Sequence, residues 1–156
     1  MLEPTDVLDE LQDLRDGGFL SDTLLRRAVK SIAAADDRFD WVGIYLVNPE
    51  ENVVWLHNYV GRPTTHSKIP IGEGVCGTAV AERENTNVPD VSVVDHYIVC
   101  DKMAKSEMVV LIRAGDEIFG LINIDSRTEA AFTDEDSVAV QSLADKLAEQ
   151  LAQERK

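Results

Sequence analysis

Ser106–Ser126 reads SEMVVLIRAGDEIFGLINIDS, and its reading decides the fold class. Two apolar runs, Ser106–Ala114 and Ile118–Ser126, flank Gly115-Asp116, the pattern of two antiparallel strands joined by a tight turn. Glu107 and Asp125 stand inside these apolar runs, where burial without a partner is costly. Solvation at a sheet edge is the competing explanation for them. With Gly115-Asp116 as a two-residue turn, Ala114 pairs with Glu117, so Glu107 faces Ile124 and Asp125 points to the opposite side. If both acids line one pocket, the hairpin must carry a bulge or a different loop length, and the sequence predicts such an irregularity.

Outward from this hairpin, Trp41–Val47 alternates as a strand. Val42, Ile44 and Leu46 share one face, and Trp41, Gly43, Tyr45 and Val47 the other. A glycine between two aromatics leaves either a slot walled by rings or room for a neighbouring helix. Asn48–Asn52 is a turn, and Val53–Val60 its hairpin partner. Two helices come first. Residues 5–17 carry Val7, Leu8, Leu11 and Leu14 with Thr5 as the expected cap, and Ser21 is expected to cap a helix built on Leu25, Ala28, Val29 and Ile32. At the other end Thr133, with Asp136 three residues on, opens a long helix with Val140, Leu143, Leu147 and Leu151 as its stripe. This order gives an α+β domain: a central antiparallel sheet, with the N-terminal helices and the long C-terminal helix packed on one side. One domain spans 1–156, with N-terminal helices in 1–37, the sheet and its loops in 41–126, and the C-terminal helix in 133–155.

Gly72–Asp101, GEGVCGTAVAERENTNVPDVSVVDHYIVCD, holds both cysteines. Gly72 and Gly74 break the backbone before Cys76, which the sequence places in a helical first turn, where the dipole and unpaired amides favour a thiolate. Cys100 falls in a long loop, Asp90–Lys105, and long loops inside compact domains often carry function. On their own the two thiols fit a redox pair, a fragment of a metal site, or small core residues. His57 and His96 do not pair with them at a zinc-like spacing and His66 reads as a loop residue, so no metal and no cofactor is expected.

The net charge of −14, from 29 acidic against 15 basic residues, argues against nucleic acid and against anionic membranes. The N-terminus lacks a basic start followed by an apolar run, and no apolar stretch approaches bilayer length, so a cytoplasmic protein is expected.

The words WVGIY, IPIGEGVCGTA, IVCD, SEMVVLI, GLINIDS and FTDED occur in that order between Trp41 and Asp136. As an ordered set they resemble the free methionine-(R)-sulfoxide reductases, which are built on a GAF domain. The resemblance implies Cys100 as nucleophile and Cys76 as resolving cysteine. It implies a substrate pocket formed by Trp41, Tyr45, Glu107, Asp125 and Asn123, regeneration by thioredoxin, and a homodimer. Two positions depart from the family pattern: His66 stands where a further cysteine is common, and Asn123 where an aspartate is.

The chemistry needs a thiolate to attack, a carboxylic acid or water to protonate the departing oxygen, and a second thiol to condense with the resulting sulfenic acid. Glu107, Asp125, Trp41 and Tyr45 could receive the substrate's ammonium, and amides of Asp95–Val99 or Gly74–Cys76 its carboxylate. The dipole favours Cys76 as the more acidic thiol, whereas the resemblance makes Cys100 the nucleophile. The rival function is a GAF sensory module that binds a small ligand without turnover.

Overall fold

A computed structural model describes residues 1–94, 97–98 and 101–155. Among these residues four α-helices, α1 (Pro4–Asp16), α2 (Ser21–Ala35), α3 (Gly74–Glu82) and α4 (Asp134–Glu154), accompany six strands. The strands are β1 (Trp41–Asn48), β2 (Val53–Val60), β3 (Lys68–Pro70), β4 (Thr86–Val88), β5 (Ser106–Ala114) and β6 (Glu117–Ser126). They form one antiparallel sheet in the order β3-β2-β1-β6-β5-β4. The expected α+β architecture is observed. No helix among the described residues is long and apolar enough to cross a membrane.

The alternation in β1 assigns the faces as expected. Val42 and Ile44 join Leu11, Leu25, Ile32, Val110, Ile122 and Leu143 in the core shared with α1, α2 and α4. Trp41 and Tyr45 join Ile69, Cys76, Val109 and Leu121 on the opposite face, under α3. Thr133 and Asp136 form the expected capping box, each side chain accepting from the other's backbone N–H.

Two expected caps are corrected. Thr5 lies inside α1, because Pro4 occupies the first helical turn after Glu3 and its fixed φ starts the helix. Ser21 lies inside α2 behind Leu20; its N–H and Oγ both donate to the Glu154 carboxylate at 2.8 Å, tying the start of α2 to the end of α4. Strand β3 was not expected. It is three residues long and contains a proline, as suits an edge position.

The β5–β6 ladder contains the expected irregularity. Ala114 pairs with Glu117 and Arg113 with Ile118, but Ile112 pairs with Gly120, which leaves Phe119 as an extra residue in β6. From there the register runs regularly to Glu107 opposite Asp125. Gly120 is required beside the bulge, since a Cβ there would lie 2.1 Å from the Tyr45 carbonyl oxygen. Gly120→Ala is therefore expected to cost at least about 2 kcal/mol, read in thermal unfolding as a drop of about 5 °C or more.

Candidate active site on the α3 face of the sheet

Directly opposed residues of an antiparallel pair point to the same side, so the register can be read as rows across the sheet. One row runs Trp41, Asp125, Glu107, Val88 across β1, β6, β5 and β4. The next runs Tyr59, Gly43, Asn123, Val109, and a third begins Tyr45, Leu121, Leu111. The bulge thus brings together five of the expected pocket residues, Trp41, Tyr45, Glu107, Asn123 and Asp125, on the side that carries α3.

All three polar members are buried, Glu107 at 1% exposure and Asn123 and Asp125 at 0%. Tyr97 donates its hydroxyl to Glu107 Oε1 at 3.2 Å. The other five polar atoms, Glu107 Oε2, both Asp125 oxygens and both amide atoms of Asn123, have no hydrogen-bond partner among the described residues. A natural interior leaves few such atoms, and a cluster of them marks a place built to receive something.

Burial first, with only weaker opposition from the neighbouring Asp125 carboxyl and the Tyr97 hydroxyl, pushes the Glu107 carboxyl up to about 7. Asp125 rises well above the usual carboxylate range, through burial and then the Glu107 charge beside it, and Asp101 adds to the rise while its backbone amide opposes it. The two carboxyls lie close enough for one proton to bridge them, and at neutral pH the pair retains a proton. No group of three metal-ligating side chains occurs among the described residues.

The aromatic residues close this region. The Trp41 indole lies flat over Gly43, where a Cβ would sit 2.5 Å from the ring, so the glycine admits the indole of its own strand rather than an open slot or a helix. Tyr59 stacks on the indole at 5.4 Å and 16°. Trp41 Nε1 donates to the Arg62 carbonyl at 3.0 Å and the Tyr45 hydroxyl to the His66 carbonyl at 2.9 Å, which pins the loop at 61–67.

Cys76 is the third residue of α3, in the helical first turn as expected, and is buried at 3% exposure. Ile98 packs over Gly74, its side-chain carbons 2.9–3.1 Å from where a Cβ would be. Asp101 is fully buried, with Oδ1 accepting from the Met103 N–H at 3.0 Å and Oδ2 3.6 Å from Arg127 Nε. Cys100, His96, Asp95 and Val99 lie outside the described residues, and with them the expected nucleophile and part of the expected amide cradle.

Three residues of this region were not singled out as pocket residues. Tyr59 was legible in principle, since it faces Gly43 once the β1–β2 register is drawn. Asp101 follows Cys100 directly in the sequence, which carries no sign of its burial. Tyr97 gave no signal, because its loop has mixed periodicity.

The GAF domain profile matches residues 20–151. The free methionine-R-sulfoxide reductase of Escherichia coli K12 is 37% identical over 113 residues, covering 72% of this chain and 67% of that protein. The chain belongs to the GAF-domain free methionine-(R)-sulfoxide reductase family. Structures agree with this membership. That of fRMsr from Staphylococcus aureus in its reduced form is 32% identical with a TM-score of 0.85, over 97% of this chain and 96% of that one. The X-ray structure of free methionine-R-sulfoxide reductase from Neisseria meningitidis in complex with its substrate is 27% identical with a TM-score of 0.87, over 97% and 90%.

In this family member the acid pair should weigh on stability. Folding raises the carboxyl pKa values above their unfolded ones, so folding takes up protons; the pair's favourable contribution is complete below the unfolded Asp value of 3.8 and is lost as pH rises through about 7. Asp125→Asn removes the like charge and should be more stable than the parent at pH 8 by about 1 kcal/mol or more, seen as a Tm about 2–4 °C higher. The gain should shrink towards pH 5.

Proposed function

We propose that the protein reduces free methionine-R-sulfoxide to methionine. The observation that carries this reading is the buried cluster of Glu107, Asn123 and Asp125, with five unpartnered polar atoms beside the Trp41 ring. An apolar wall with convergent, desolvated polar groups suits a small zwitterion that carries an S-methyl group. A carboxyl pair that retains its proton at neutral pH suits the protonation of a departing oxygen.

In this mechanism the Cys100 thiolate attacks the sulfoxide. The sulfoxide S–O bond breaks, its sulfur gains two electrons, and the oxygen, protonated from the Glu107–Asp125 pair, leaves as the hydroxyl of a Cys100 sulfenic acid. Cys76 then condenses with the sulfenic acid, forming a disulfide and releasing water. Thioredoxin returns both thiols. The amide of Asn123, which both donates and accepts, meets the amino-acid end of the substrate. The protein acts as a single-domain, cytoplasmic homodimer.

The test is NADPH consumption coupled through thioredoxin and its reductase, with the resolved R- and S-sulfoxides of free methionine. Turnover is expected with the R-isomer only. Cys100→Ser should abolish it, and Cys76→Ser should yield about one methionine per chain and then stop. If reduced, folded protein turns over neither isomer but binds one, a sensory module replaces the reductase reading.

A further inference from the structure

The buried Glu107 carboxyl has one described hydrogen-bond donor, and that donor comes from outside the sheet. Glu107 is flanked along its row by Val88, which offers no polar side-chain atom, and by Asp125, a second acid. Tyr97 reaches in from the loop that precedes β5, and its hydroxyl donates to Glu107 Oε1 at 3.2 Å. Tyr97 is half-buried, whereas Glu107 is 1% exposed.

We infer that Tyr97 is a positioning residue for the acid: it holds Glu107 Oε1, so that Oε2 is turned to Asp125 and to the substrate. The geometry gives it this leverage. A carboxyl rotates about its last bond with little hindrance, and in this site no other described donor fixes it. Among the described residues Glu107 Oε2 and both Asp125 oxygens have no hydrogen-bond partner, so the oxygen held by Tyr97 decides which one faces the bound molecule.

The charged and titratable groups around Glu107 make the effect readable. Asp125 faces it from β6, Asp101 lies beyond Asp125 and is paired with Arg127, and Tyr97 comes from the loop. Burial favours the protonated form of Glu107, and the neighbouring Asp125 carboxyl opposes it more weakly. The phenol opposes it too, because a hydrogen bond donated to a carboxyl favours its ionised form. Removing the hydroxyl must therefore raise the pH at which Glu107 loses its proton.

The consequence for turnover rests on the reductase reading; the hold on the carboxyl does not. Tyr97→Phe keeps the ring and loses only the donor. The carboxyl carbon of Glu107 should be followed by carbon-13 NMR as a function of pH in the parent and in Tyr97→Phe, with Glu107→Gln to assign the signal. The midpoint in Tyr97→Phe is expected to move upward by about half a pH unit or more. The alkaline limb of kcat/KM for methionine-R-sulfoxide should move with it, so that above neutrality the variant keeps a larger share of its own maximum than the parent does. A general loss of packing would lower the rate without carrying that limb upward. A Glu107 midpoint that is unmoved or lowered overturns the inference, whatever the rate does. An upward midpoint in a protein with no turnover upholds the hold on the carboxyl and removes the reductase reading instead.

Discussion

Two carboxyl groups with no counter-charge among the described residues are held inside the domain, and the rest of the functional face follows from that. Isolated buried carboxylates are too costly to persist, so the pair relieves the cost by keeping a proton. Basic side chains are absent from this row: Glu107 and Asp125 have a valine on one side and a tryptophan on the other. The Arg127 guanidinium is turned to Asp101. A protonated acid at neutral pH is what this arrangement produces.

Backbone geometry puts the pair together. Without Phe119 as an extra residue in β6, every side chain from Glu107 to Ile112 would meet the wrong partner, and Asp125 would face the helical core. The bulge in turn needs Gly120, whose missing side chain lets β6 approach the Tyr45 carbonyl. The same close approach recurs at Gly43, which lets Trp41 lie flat and reach the Arg62 carbonyl. Two absent side chains thus set the position of one ring and two acids.

Much of this was legible in the sequence because it follows from periodicity. Alternation in β1 separated Val42 and Ile44 from Trp41 and Tyr45, and counting back from Gly115-Asp116 revealed that an undistorted ladder could not bring Glu107 and Asp125 to one face. The Thr133–Asp136 box was readable because capping is local. Thr5 and Ser21 misled for a related reason: a cap-forming residue marks a helix start only when its neighbours do not compete, and Pro4 in one case and Glu154 in the other did. Tyr97 could not have been found, since its contact with Glu107 joins a loop of no fixed period to the sheet. The orientation of Trp41 over its own strand also lay beyond the pattern, which gives a side chain's face but not its rotamer.

The measurement that bears most directly on the acid pair is infrared difference spectroscopy of the resting protein at neutral pH, parent against Glu107→Gln and Asp125→Asn. The expected result is a carbonyl band of a protonated carboxylic acid in the parent that each variant loses or shifts. A parent spectrum holding only carboxylate bands for these two residues would contradict it, and would leave the departing oxygen without its proton donor.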